Sequence, residues 1–300
     1  MSAPESETPA ALRFGDLGLP EPLLAALAEV GYESPSPIQA ATIPALLSGR
    51  DVLGTAQTGT GKTAAFALPI LSRLEPGRTR PQALVLAPTR ELAIQVAEAF
   101  QRYSARLPGF QVLPIYGGQG YGPQLQALRR GVQVVVGTPG RVIDHLERGT
   151  LDLSGLTTLV LDEADEMLRM GFIDDVEAVL KKTPETRQVA LFSATMPAPI
   201  EKLSHRYMNH PERITIEREQ LTVPLIEQVY YETREKFEGL CRVLDVEETG
   251  KLIIFCRTKR AVDELVSSLD ARGYSAGGLH GDLSQVQRDR VMKKFREGRI

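Results

Sequence analysis

Apolar residues in this chain gather in short runs rich in Val, Leu and Ile, at 51–55, 83–87, 111–115, 132–136, 158–161, 188–192 and 213–216. Runs this short and this continuously apolar predict strands buried on both faces, as parallel strands are. Between them the apolar positions spread to helical spacing. Leu92, Val96, Ala99, Phe100 and Tyr103 fall on one face of a helix, and Ile173, Val176, Val179 and Leu180 on one face of another. Strand and helix in alternation predict an α/β fold, a parallel sheet covered by helices on both sides.

The polar, proline-terminated stretch EREQLTVP at 217–224 interrupts this rhythm and predicts a linker. A second alternation follows, with strands expected at 225–231, 252–255 and 275–279 and helices at 236–247, 260–272 and 285–297. The expected organisation is a disordered N-terminal segment at 1–12, a first domain at 13–216, a linker at 217–223 and a second domain at 224–300. Having fewer expected strands than the first, the second domain reads as incomplete, with an open sheet edge, and the chain as part of a longer protein.

Composition narrows the class without assigning a function. Hydrophobic residues are 42% and charged residues 24% of the 300, a globular balance that excludes a disordered, collagenous or disulfide-framed chain. A formal charge of −3 supplies no bulk positive field, so any nucleic acid must be held by local contacts. Cys241 and Cys256, the two cysteines, have no metal-ligand spacing and read as small apolar residues in a reducing compartment. No stretch approaches the ~20 apolar residues that span a bilayer, and the N-terminus lacks the basic-then-apolar layout of a secretion signal. The expectation is a cytoplasmic protein with no membrane partner.

The sharpest chemical signal is AQTGTGKT: Ala56, Gln57, Thr58, Gly59, Thr60, Gly61, Lys62 and Thr63 lie between an expected strand and an apolar helix beginning near Lys62. Gly59 and Gly61 let backbone N–H groups turn toward a polyphosphate, and the helix N-terminus favours negative charge. Lys62 reaches the β and γ phosphates, and Thr63 can ligate Mg²⁺. Ala56 stands where the general phosphate-loop pattern has its first glycine. The strand at 158–161 runs into Asp162, Glu163, Ala164 and Asp165, which puts acidic groups at a strand's carboxyl end, where α/β sheets bind ligands. Asp162 is expected near Mg²⁺, through a water, and Glu163 is expected to orient and deprotonate the attacking water. Alone, an acidic helix start would only complement the helix macrodipole; beside a phosphate loop it reads as chemistry.

With DEAD at 162–165, the chain resembles the DEAD-box ATP-dependent RNA helicases, and further motifs fall in that family's order. GYESPSPIQ at 31–39 resembles the Q motif, with Phe14 as the isolated upstream aromatic. PTRELA begins at Pro88, Gly117 and Gly118 form the glycine pair, TPGR occupies 138–141 and SAT occupies 193–195. IIFCRT at 253–258 resembles motif IV, and Gln285 with Arg288 forms a QxxR element. The stretch TLDLSGLTTLVLDEADEMLRMGFIDDVE and YGGQ at 116–119 are similar to the bacterial cold-shock branch. The implied fold is a complete RecA-like P-loop domain followed by an incomplete second one.

The resemblance also implies roles. ATP and Mg²⁺ are the expected cofactors, held by Tyr32, Gln39, the loop at 56–63, Asp162, Glu163 and Asp165, with Glu163, Lys62 and Asp162 as catalytic groups. The Gln39 amide can pair with both an acceptor and a donor of adenine, which selects ATP over GTP. Tyr32 and Phe14 serve either the base or the packing of its pocket. RNA, as single strands and short duplexes, is expected on Pro88, Thr89, Arg90, Gly117, Gly118, Gln119, Thr138, Pro139, Gly140 and Arg141, and in the second domain on Arg257, Thr258, Gln285 and Arg288. These are backbone contacts without sequence preference. For Arg90 and Arg141, surface or helix-capping charges are the lesser alternative reading. Ser193 and Thr195 either bond Asp165 and couple the two sites or cap the next helix.

The implied activity is that of an RNA-dependent ATPase that locally unwinds short duplexes, in ribosome assembly or in mRNA remodelling and decay at low temperature. An ATP-gated RNA clamp, and a P-loop ATPase or DNA helicase, are the alternatives. The family's arginine-bearing HRxGRxGR motif is not within these 300 residues, so the chain is expected to bind nucleotide and hydrolyse it poorly.

Overall fold

The structure, a computed structural model, describes residues 12–75, 77–216, 227–247 and 250–300. Seven strands form one sheet: β1 (Val52–Thr55), β2 (Ala83–Leu86), β3 (Val112–Ile115), β4 (Val134–Gly137), β5 (Thr158–Leu161), β6 (Gln188–Ser193) and β7 (Glu212–Thr215). Their spatial order is β3-β4-β2-β5-β6-β1-β7, and every pairing is parallel. The apolar runs therefore form the strands expected of them, shifted by a residue or two. β4 starts at Val134 rather than at 132, because Val132 bonds the Thr79 carbonyl outside the ladder.

Parallel strands need a crossover each time, and helices supply them. On one face lie α1 (Glu21–Glu29), α2 (Pro37–Leu47), α3 (Lys62–Arg73) and α4 (Arg90–Tyr103). Their Leu27, Ile43, Phe66 and Phe100 pack on Val52, Val85, Val160 and Phe192. On the other face lie α5 (Tyr121–Arg130), α6 (Pro139–Glu147), α7 (Ala164–Arg169), α8 (Ile173–Lys181) and α9 (Ala198–Tyr207). There Val142, Met167, Val179 and Leu203 pack on Leu53, Leu84, Leu159 and Leu191. The alternation Val85 to one side, Leu84 and Leu86 to the other follows from the two-residue period of a strand. Gly54 is required at its place in β1, since a Cβ there would sit 2.7 Å from the Phe192 ring.

The chain divides into two compact units, Met1–Glu219 and Gln220–Ile300. The second contains α10 (Lys236–Val246), α11 (Lys259–Ala271) and α12 (Gln285–Arg296). Its three helices meet the expectation; its strands do not. Among the described residues of this unit no strand forms, although apolar runs at 252–255 and 275–279 predict two. A strand exists through its ladder, and these segments pair with none, so Ile253 and Phe255 are left 65% and 93% exposed. The segment at 1–11 and the linker at 217–223 lie outside the described residues, as does the start of the strand expected at 225–231, whose described remainder at 227–231 is not a strand. Both cysteines are free, Cys241 buried and Cys256 partly so. Among the described residues no helix is long and apolar enough to cross a membrane.

Candidate functional site

The carboxyl ends of the strands carry the motifs. The loop at 56–61 leaves β1 and enters α3 through Gly61, which has φ +94°, a left-handed conformation that suits glycine. Gly59 also has positive φ, at +86°. The Ala56 N–H donates to the Ser193 carbonyl at 3.0 Å, which fixes the loop's start to the end of β6. Lys62 is buried and its Nζ donates to the Ala56 carbonyl at 3.0 Å, folding its ammonium back over the loop. Thr63 follows in the first turn of α3, half-buried, while Gln57, Thr58 and Gly59 are exposed. This places an ammonium, backbone amides and the N-terminus of a 12-residue helix around one turn.

The Q-motif residues sit directly behind that turn. Ser36 caps α2 in a reciprocal box, with Gln39 Oε1 accepting from the Ser36 N–H at 2.8 Å. Ser36 Oγ donates to the Thr60 carbonyl at 2.8 Å, and Gln39 Nε2 donates to the Gly61 carbonyl at 3.1 Å. The Gln39 amide thus braces the phosphate loop with one donor, accepts at the α2 cap, and keeps one donor and one acceptor position for a base. Ser36 joins the expected site residues here, and its signal, Ser-Pro-Ile-Gln before an apolar run, is in the sequence. Phe14 is buried and its ring stacks on Tyr32 at 6.2 Å; Tyr32 also meets Tyr103, hydroxyl to hydroxyl, at 3.3 Å. Phe14 is therefore a packing residue, and Tyr32, 38% exposed, presents the remaining aromatic surface.

At the end of β5, Asp162 is 3% exposed and its Oδ1 has no hydrogen-bond partner. Burial raises its pKa from 3.8 to about 6, the Lys62 charge opposing and the Glu163 charge adding to the rise. A buried, orphaned carboxylate oxygen fits a place for a divalent ion or its water, and the donor set, one carboxylate and the Thr63 hydroxyl, is the oxygen-only kind that Mg²⁺ takes with phosphates. The folded state holds the Asp162 proton between pH 3.8 and about 6, where the unfolded state has released it, so this group's contribution falls as pH rises through that window. Asp162→Asn is accordingly expected to stabilise the ligand-free chain by about 1–3 kcal/mol above pH ~6 and by nothing near pH ~4. Denaturant midpoints at about pH 4 and about pH 8 check it; equal midpoint differences at both would reject it.

Glu163, half-buried, starts α7 with φ 51° and ψ 53°, the left-handed region that a non-glycine residue enters at a cost of about 1 kcal/mol. Its Oε1 accepts from Thr58 Oγ1 at 3.2 Å, so the carboxylate faces the phosphate loop. Asp165 turns the other way. Its Oδ2 accepts from the Thr195 N–H at 3.0 Å and from Thr195 Oγ1 at 2.8 Å. Its own N–H donates to Ser193 Oγ, whose proton goes to the Thr195 carbonyl at 2.6 Å. Burial pushes the Asp165 carboxyl up, but the hydrogen bonds it accepts, those from Thr195 foremost, outweigh it and hold the pKa below the usual value. Of the two readings left open for SAT, the structure places the bond to Asp165; α9 is capped by Pro197, without a side-chain bond.

The residues expected to meet RNA lie at the ends of β2, β4 and β3. Thr89 caps α4, accepting from the Leu92 N–H at 3.2 Å, and Pro88 behind it is buried. The Arg90 guanidinium lies 5.0 Å over the Tyr116 ring. Gly117 and Gly118 are exposed, Gly118 with φ +79°. Thr138, Pro139 and Gly140 open α6 with Thr138 as its cap residue. Arg141 is not a free surface charge. Its Nη1 and Nη2 both donate to the Gln119 carbonyl at 3.1 Å, and its side chain is 9% exposed. In the second unit, Arg257 is exposed, Thr258 caps α11 by accepting from the Ala261 N–H at 3.1 Å, and Gln285 Nε2 donates to Asp289 Oδ1 at 3.0 Å. Arg288 lies one turn along α12 from Gln285, half-buried.

The strand order sorts these groups. Along the carboxyl edge, β3, β4 and β2 carry the glycine pair, TPGR and PTRELA side by side, and β5, β6 and β1 carry the acidic group, SAT and the phosphate loop. Sequence order interleaves the two sets; space separates them.

The family model described as DEAD/DEAH box helicase matches residues 36–203, and the helicase conserved C-terminal domain model matches residues 235–300. The chain is similar to the ATP-dependent RNA helicase DeaD of Mycobacterium tuberculosis (strain ATCC 25618 / H37Rv), 56% identical over 100% of this chain and 54% of that protein. To the ATP-dependent RNA helicase DeaD of Escherichia coli (strain K12) it is 54% identical over 96% of this chain and 46% of that protein. It spans about half the length of these curated relatives. Among solved structures it resembles S. cerevisiae Dbp5 bound to RNA and ADP BeF3, with TM-score 0.85 at 34% identity, covering 96% of this chain and 74% of that one. It also resembles a DEAD box protein from the hyperthermophile Methanococcus jannaschii, with TM-score 0.67 at 41% identity, covering 96% and 78%.

Proposed function

The chain belongs to the DEAD/DEAH box helicase family, and from that premise we propose that it is the ATP- and RNA-binding part of an ATP-dependent RNA helicase. The observation that carries this is the sorting of motifs along the sheet edge, nucleotide groups on β5, β6 and β1 and RNA groups on β3, β4 and β2, joined where β5 adjoins β2. A ligand at one half then shares a rigid edge with a ligand at the other.

In this reading Lys62, the loop amides and the α3 N-terminus bind the triphosphate, and Gln39 reads adenine with its spare donor and acceptor. Thr63 and Asp162 are the residues that hold Mg²⁺, the latter through water. Bound there, the ion supplies positive charge against the phosphates. Glu163, aimed at the loop, takes the proton of the attacking water. Thr195, held by Asp165, passes the state of the acidic strand end to α9. On the other half, the exposed amides of Gly117 and Gly118, the Thr138 hydroxyl and the Arg90 guanidinium meet RNA phosphates, so binding is without sequence preference and falls with added salt. Arg257, Thr258, Gln285 and Arg288 give the second unit its share of the strand. The resemblance of 150–177 to the cold-shock branch supports a setting in the cytoplasm on ribosome-assembly particles or RNA-decay machinery at low temperature.

The test is RNA-stimulated phosphate release together with displacement of a short labelled strand. The 300 residues alone are expected to bind ATP and to hydrolyse it ~10³-fold or more slowly than a protein extended through an arginine-bearing motif, by analogy with the loss of an arginine finger. Equal RNA-stimulated rates in both would reject that part. RNA held with ATP and no strand released would replace the helicase by an ATP-gated clamp.

A further inference from the structure

Behind the glycine pair lie two buried polar side chains, Gln124 and His145, that none of the sequence motifs contains. Gln124, inside α5, is 1% exposed. All four of its hydrogen-bonding positions are used. Nε2 donates to the Tyr116 carbonyl at 3.3 Å and to Gln119 Oε1 at 3.0 Å. Oε1 accepts from Arg141 Nη1 at 3.3 Å and faces His145 Nε2 at 2.9 Å. Arg141 has only donors and a carbonyl only accepts, so the amide can be turned one way alone, and His145 Nε2 must carry a proton.

His145 is wholly buried, and its Nδ1 meets Thr150 Oγ1 at 2.8 Å. Burial, then the nearby Arg141 charge, holds its pKa below the usual histidine value, which favours the neutral ring. A neutral ring protonated on Nε2 accepts at Nδ1, and the Thr150 hydroxyl, 2.8 Å from Nδ1 and 3.1 Å from the His145 carbonyl, shares its one proton between these two acceptors. The Tyr121 ring packs edge-on against the imidazole at 5.4 Å and lies under the Arg141 guanidinium at 4.2 Å.

Followed outward, these bonds end on the loop at 117–119: Gln124 holds Tyr116 and Gln119, and Arg141, held by Gln124, grips the Gln119 carbonyl twice. Two adjacent glycines have no side chains with which to fix themselves, and an unfixed glycine loses the most entropy when a ligand orders it. We propose that Gln124 and His145 are positioning residues for RNA binding, holding the 117–119 loop, directly and through the Arg141 guanidinium, in the geometry that meets a phosphate. This rests on the reading of that loop as an RNA contact. A polar network with every member satisfied is rigid, which is the property the loop needs.

The test uses Gln124→Leu, His145→Leu and His145→Gln in the full chain. NMR relaxation is expected to show the backbone order parameters of 117–119 falling from about 0.85 to below about 0.6 in both Leu variants. Affinity for a labelled oligouridine is expected to fall about tenfold, and affinity for a fluorescent ATP analogue to stay within about threefold. His145→Gln, whose amide can donate to Gln124 Oε1, is expected to recover RNA affinity to within about threefold of the parent. In the parent chain, long-range nitrogen–proton spectra are expected to place the His145 proton on Nε2. An ordered loop in both Leu variants, or the proton on Nδ1 alone, would overturn the inference whatever RNA does. A loosened loop with RNA affinity unchanged would instead remove the loop from the RNA site, and the functional half of the inference with it. The His145 variants keep Gln124 in place, so the outcome does not hang on whether Gln124→Leu folds.

Discussion

Replacing Lys62 by alanine is expected to weaken binding of an ATP analogue about 100-fold, since a charge-assisted bond to phosphate contributes about 1.5–3 kcal/mol and Lys62 is proposed to reach two phosphates. The side chain is buried and folded back onto the Ala56 carbonyl at 3.0 Å, so its ammonium is already inside the turn proposed to receive the ligand. The substitution has a second consequence. Lys62 is the one charge that lowers the Asp162 pKa, and without it the carboxyl rises further above about 6 and resists becoming the anion an ion would require. Stability and affinity then separate in a double variant. Lys62→Ala with Asp162→Asn removes both buried charges and is expected to regain the stability lost by Lys62→Ala alone, while nucleotide affinity stays low. Fluorescence titration and denaturant midpoints read the two quantities. An analogue affinity within about threefold of the parent would show that the triphosphate does not nest at this turn.

The first unit was legible because its signals are local. A continuous apolar run of four or five residues predicts a buried strand, and AQTGTGKT between such a run and an apolar helical stretch predicts a loop entering a helix. What the sequence withheld depends on partners distant along the chain. Nothing near Gln124 or His145 announces that a helix-interior amide and an imidazole 21 residues apart will share a proton. Nor does the acidic tetrad announce that Glu163 is left-handed, a conformation imposed by the turn from β5 into α7. The same dependence misled the reading of the second unit, where the runs at 252–255 and 275–279 have strand composition but no described neighbour to pair with. The order β3-β4-β2-β5-β6-β1-β7 is the clearest case: each motif was readable alone, and its grouping into a nucleotide half and an RNA half exists only in the sheet.

Glu163→Gln tests the other half of the chemistry, and its expected signature is the opposite of that of Lys62→Ala. The glutamine has the same length and keeps a carbonyl oxygen where Glu163 Oε1 accepts from Thr58 Oγ1, so the loop contact survives and ATP-analogue affinity is expected to stay within about threefold. An amide cannot take the proton of a water, and loss of a positioned general base costs about 10²- to 10⁴-fold in rate. The strained backbone at φ 51° strengthens the argument, because it is present whichever of the two side chains stands there and so cannot be what the substitution changes. Single-turnover phosphate release with RNA, measured in the protein extended to the length of its relatives, is expected to fall by that factor at unchanged nucleotide affinity. Were both variants to lose affinity equally, Glu163 would be a ligand-binding group and the base would have to be sought elsewhere; were the rate to fall by less than about tenfold, proton removal by Glu163 would contribute under ~1.4 kcal/mol and could not be the role its carboxylate serves.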